Sequence, residues 1–139
     1  MAIWQLHFQL IPINGKEYDQ NILLSDASTS ILTAELPATA SWNEEDKLFG
    51  DLDTTCVEIA FYHSVIDEIS VRLDIRSLSQ KQLNAIIEFA RFNNLQILYN
   101  EKTISATADN VCTMIRQCDA LRFLKNPQQF LKELSETNP

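Results

Sequence analysis

Few side chains here could do chemistry at neutral pH. His7 and His63 are the only histidines, hence the only side chains whose ordinary pKa suits a general base near pH 7, and neither sits in a nucleophile motif. His63 precedes Asp67 and Glu68 closely enough for a turn to gather all three. A metal site, however, needs three or four convergent ligands with outer support, and a solvated polar turn is the plainer expectation. Cys112 and Cys118 are six residues apart, which rotates them by about 240° around a helix. Cys118 fits an apolar stripe as a small buried hydrophobe, and no cation stands near Cys56 in the sequence to lower its pKa. No catalytic residue, metal ligand or cofactor is assigned. With two glycines in the whole chain, a glycine-rich phosphate cradle is not expected either.

Binding is better represented. Residues 37–53 are polar and acidic, with Glu44, Glu45, Asp46, Asp51 and Asp53 against Lys47, and with Trp42, Leu48 and Phe49 interleaved. A long segment without an evident element is often functional in a small domain. Acids that steer a basic protein and an aromatic that anchors it make a partner surface. Trp42, Glu44, Glu45, Asp46, Asp51 and Asp53 are therefore the first-choice site. The Asp51-Leu52-Asp53 spacing lacks the glycine and closing glutamate of a calcium loop. Arg72, Asp74 and Arg76 alternate in sequence and predict an ion-pair ladder; if their face lined a groove with Tyr62, Arg72 and Arg76 would bind a carboxylate.

The elements that must carry these residues show as periodicities. In 68–76, Ile69, Val71, Leu73 and Ile75 alternate with Glu68, Ser70, Arg72, Asp74 and Arg76, the pattern of a strand with one buried face. Residues 3–11 alternate likewise, ending at Pro12 before Asn14-Gly15. Strands are also expected at 30–36, 55–62 and 95–99, with an extension near Ile104. A short connection from 62 to 68 predicts an antiparallel hairpin. Ser79 and Gln82 have capping-box spacing, and Leu83, Ile86, Ile87 and Ala90 follow at helical intervals. Helices are expected over 80–92, 108–124 and 127–135, the last opening with Asn126-Pro127. Strand, helix and strand over 68–99 form a βαβ unit.

Net charge separates the two halves. Residues 1–68 hold twelve acids against two lysines, whereas residues 69–139 hold nine bases and seven acids. Such a field repels nucleic acid and anionic lipid and favours a basic partner. No run of about 20 apolar residues is present to span a membrane. An odd cysteine count without a CxxC pair fits reduced thiols, and the N-terminal residues do not read as a secretory signal. A cytoplasmic location is expected.

The text EISVRLDIR at 68–76 and LRFLKNPQQFL at 121–131 resembles small acidic bacterial proteins encoded beside toxins, the immunity-type proteins. That resemblance implies a protein that binds a cognate basic toxin and covers its active site. The expectation is one α+β domain over 1–139, a mostly antiparallel sheet of about five strands with two to three helices on one face. It would serve as a non-enzymatic protein-binding domain. The rivals are a small-ligand regulatory domain and a homo-oligomer joined through a sheet edge.

Overall fold

The computed structural model describes residues 4–15, 17–41, 43–118 and 126–135. The first strand, β1 (Gln5–Pro12), buries Leu6, Phe8 and Leu10 while the residues between them stay half-buried, as period-two alternation dictates. Pro12 is its last residue, and Ile13–Gly15 turn the chain away as a short 3₁₀ segment. Two helices follow, α1 (Gln20–Leu23) and α2 (Asp26–Thr33). The strand expected at 30–36 is thus corrected: residues 30–33 are the last turn of α2 and residues 34–36 a turn beyond it. Ser25 caps α2 by accepting from the Ser28 amide, and Ser28, Leu32 and Leu36 are buried at four-residue intervals. The hydroxyls of Thr29, Ser30 and Thr33 donate back to carbonyls of the preceding turn, the local bonding open to such side chains inside a helix.

The segment 37–53 is not a structureless loop. It contains β2 (Ala38–Thr39) and β3 (Lys47–Gly50), which lead to β4 (Cys56–Tyr62) and β5 (Val65–Asp74). Helix α3 (Gln80–Phe92) starts with the expected capping box between Ser79 and Gln82. After β6 (Leu95–Tyr99) and β7 (Lys102–Ile104) comes α4 (Ala108–Gln117), then α5 (Pro127–Ser135). Helix α4 ends well before residue 124, because Cys118 takes an extended backbone as its C-cap. Leu121 and Leu124 lie outside the described residues. The class is α+β as expected, but with seven strands and five α-helices among the described residues.

Sheet order is β2-β3-β4-β5-β1-β6-β7, and every neighbouring pair is antiparallel. Strands β5 and β6 both pair with β1, on opposite sides. They therefore run parallel to each other, and the βαβ unit through α3 spans an intervening strand. Leu32, Leu83, Ile86, Phe89, Val111, Ile115 and Leu134 from the helices join Leu6, Phe8, Val57, Ile59, Ile69, Val71 and Ile97 of the sheet in one core. Each such side chain contributes about 1.5–3 kcal/mol by leaving water. The alternate residues His7, Gln9, Glu58, Ser70 and Arg72 form the other face and are half-buried.

Gly50 fixes the turn out of β3. Its φ is +95°, and a Cβ there would lie 2.3 Å from the Thr55 carbonyl oxygen, whereas Gly15, at φ +68°, has open space around the same position. Gly50→Ala should destabilise the protein by more than about 2 kcal/mol and Gly15→Ala by only about 1 kcal/mol, measured by urea unfolding; equal losses would contradict the steric argument.

Candidate functional site

Strand pairing makes one end of the sheet project. β1 accompanies β5 only as far as Leu10 opposite Ile69, and β3 accompanies β4 only as far as Lys47 opposite Ile59. The β4–β5 hairpin continues beyond both. Its register shifts between Ala60 and Phe61, from Ala60 opposite Glu68 to Phe61 opposite Ile66, which leaves Asp67 as the extra residue of a β-bulge. His63 and Ser64 form the turn with φ of 50° and 65°, the positive values a two-residue type I′ loop requires.

Side chains from earlier in the chain satisfy the backbone of this overhang. Asp46 Oδ1 accepts from the Phe61 amide at 3.0 Å and Glu45 Oε1 from the Ser64 amide at 2.6 Å. Gln20 closes the other side: its Oε1 accepts from the Ile66 amide at 3.1 Å, and its Nε2 donates to the Ser64 carbonyl at 3.0 Å. At the tip, Tyr62 is 68% exposed and Val65, opposite it, 63% exposed. The His63 ring meets Tyr62 edge-on with centroids 4.2 Å apart. Ile22 of α1 is 48% exposed, and Asp67, Glu44 and Glu45 are exposed.

The first-choice acids are therefore divided. Glu44, Glu45 and Asp46 precede β3, and Glu45 and Asp46 reach the hairpin, whereas Asp51 and Asp53 follow β3, an extended span of about 16 Å from Asp46 to Asp51. Asp51 Oδ1 accepts from the Asp53 amide at 2.9 Å within the β3–β4 connection. Trp42 lies outside the described residues. Asp46 and Glu45 are bound to backbone rather than standing free in a solvated loop.

The arginine expectations also change. Arg76 pairs with Asp74 at 3.1 Å and its guanidinium lies 3.9 Å from the centroid of the Trp4 ring, but Arg72 turns elsewhere. Arg72 donates through Nε to His7 Nε2 at 2.8 Å and through Nη1 to the Leu52 carbonyl at 2.5 Å. The three-member ladder is thus reduced to one ion pair. A shared Arg72, Arg76 and Tyr62 pocket is not formed, because Tyr62 faces Val65, seven residues or about 24 Å along β5 from Arg72.

Around Arg72 a cavity of about 40 Å³ is bounded by His7, Cys56, Glu58 and Ser70. Burial, then the Arg72 charge, lowers the His7 pKa. Burial pushes the Cys56 thiol up to about 11, although Arg72, its cross-strand partner, acts in the opposite direction. Desolvation, followed by the charge of Asp46, raises Glu58. A thiol held so high is a poor nucleophile. Sequence spacing carries no signal for this cluster, since Arg72 meets His7 across 65 positions.

Among the described residues no group of three or more histidines, cysteines or acids is placed to hold a metal ion. No described helix is long and apolar enough to cross a membrane. No family model, curated protein or solved structure matches the chain.

His63 and Ser64 hold left-handed backbone without being glycine, at about 1 kcal/mol each. The double variant His63→Asn, Ser64→Gly should raise stability by about 1–2 kcal/mol in denaturant melts. His7 supplies a pH dependence. Its folded pKa lies below the ordinary 6.5, so below that pH the unfolded chain binds the proton first. Stability should fall as pH drops from about 7 and level off below the folded pKa. His7→Gln should remove that component, seen as a smaller Tm loss between about pH 7 and 5; identical losses would contradict it.

Proposed function

We propose that the protein is a non-enzymatic cytoplasmic binding domain that docks a basic protein on the projecting β4–β5 hairpin, in the manner of an immunity-type protein covering a toxin's active site. The observation that carries this reading is the exposed Tyr62–Val65 pair at the end of an overhanging hairpin. An aromatic and an aliphatic side chain held outward on a braced strand end form a hot-spot anchor whose side-chain ordering cost is small. Asp67 and Glu45 add negative charge at the same end, which steers a basic surface and fixes its orientation.

The surroundings support binding over catalysis. His63 stands on an exposed turn with its ring edge-on against Tyr62. The Cys56 thiol is held at about 11. All three cysteines are free, which suits a reducing compartment. The pattern-level resemblance of 68–76 and 121–131 to immunity-type proteins points the same way.

The test is calorimetric titration of the purified chain with the product of the gene encoded beside its own. Binding should weaken on raising salt, fall about tenfold or more with Tyr62→Ala, and fall several-fold with Asp67→Lys. Absence of binding, or binding that neither substitution changes, would overturn the reading.

A further inference from the structure

At the β2 end, the sheet edge is short and follows Pro37, but no charged side chain guards it. The opposite edge, β7, presents an exposed Lys102, the charge commonly used to discourage strand addition. Ala38-Thr39-Ala40-Ser41 has no charge, and all but the half-buried Ser41 are exposed. The direction of the backbone groups follows from the ladder. Ala38 pairs with Phe49 and Thr39 with Leu48, while the Gly50 amide donates to the Pro37 carbonyl at 2.9 Å. Bonded and non-bonded pairs alternate in an antiparallel ladder, so Thr39 faces β3 and the N–H and C=O of Ala38 point to the open side.

Beside that edge runs a groove of about 600 Å³. Thr29 and Thr33 of α2, residues 38–41 around β2, and the largely buried Phe49 on the helical side of β3 are among the residues that line it. Asp26, Glu44 and Asp46 are among its lining residues against a single base, Lys47. A strand edge facing a helix across a groove is the arrangement in which an extended peptide adds as another strand, with main-chain bonds giving affinity and the groove reading alternate side chains. The charge around it selects a cationic segment.

We infer that the open β2 edge and the α2–β2 groove bind an extended, lysine- or arginine-bearing peptide segment of a partner protein, added as an eighth strand through the outward N–H and C=O of Ala38. This surface is separate from the hairpin tip, since neither Tyr62 nor Val65 lines the groove.

The probe is a synthetic ten-residue peptide of alternating lysine and valine, compared with its glutamate–valine counterpart. Binding to the full chain is read by fluorescence anisotropy and amide exchange by NMR. The basic peptide should bind saturably and slow exchange at Ala38. The double variant Asp26→Asn, Glu44→Gln should weaken it about fivefold, and Ala38→Pro should remove it. Because Ala38→Pro could disturb β2, wild-type protection at Ala38 serves as the independent measurement. Tyr62→Ala should leave peptide binding unchanged, so this site and the hairpin reading stand or fall separately. Equal binding of the acidic peptide, binding without protection at Ala38, or loss of peptide binding in Tyr62→Ala would each overturn the inference. A dimer whose Ala38 amide is protected before peptide is added would also overturn it, giving the edge to a second copy.

Discussion

A hairpin that outruns its neighbours must find partners for the backbone groups it turns outward, and much of the chain before β4 is arranged to meet that demand. A buried N–H left without an acceptor costs about 1–3 kcal/mol. The part-buried amides of Phe61 and Ile66 are supplied by Asp46 and Gln20, and the exposed Ser64 amide by Glu45. Two of those three suppliers are carboxylates, so the same bonds that brace the hairpin concentrate negative charge beside its exposed apolar tip. Structure and surface character share one cause there.

The sheet faces solve different problems. On the helical side, side chains from sheet and helices fill one apolar core. The other face holds its polar residues by cross-strand bonds: Arg72 links β5 to His7 of β1 and to the Leu52 carbonyl between β3 and β4, and Gln9 donates to Glu68. At the end of β5, Asp74 accepts from the Arg76 backbone and from both Nε and Nη2 of its guanidinium. The Ile75 amide donates to the Trp4 carbonyl at 3.1 Å, tying the end of β5 to the residue just before β1. Leu48 and Cys56 are buried but stand outside the main core.

What was legible in the residue pattern was whatever kept one period over a sufficient length. β1, the regular part of β5 and α3 with its capping box all did. The start of β5 was hidden because Asp67 is a bulge residue. Ile66 and Ile69, both buried, sit three positions apart, and alternation resumes only at Glu68. The strand expected at 30–36 overlaps only the end of α2, whose hydroxyl-bearing residues are weak helix formers in isolation; the Ser25 cap and the burial of Ser28 and Leu32 against the core decide for helix. β3 is four residues long with adjacent Leu48 and Phe49 both buried, too short to show a period. The site was half legible. The acidic segment and Tyr62 were singled out by type, but their union at the hairpin depends on strand order, as does the meeting of Arg72 with His7 and Cys56.

Strand order has a consequence for how the molecule is made. β1 occupies residues 5–12, yet its partners are residues 69–74 and 95–98. As the chain leaves the ribosome N-terminus first, β1 emerges well before either partner and waits until the second half of this sequence has followed. Until then Leu6, Phe8 and Leu10 have no sheet to enter. The long separations also place this topology among the slower folders, with β1 as the strand that closes the assembly.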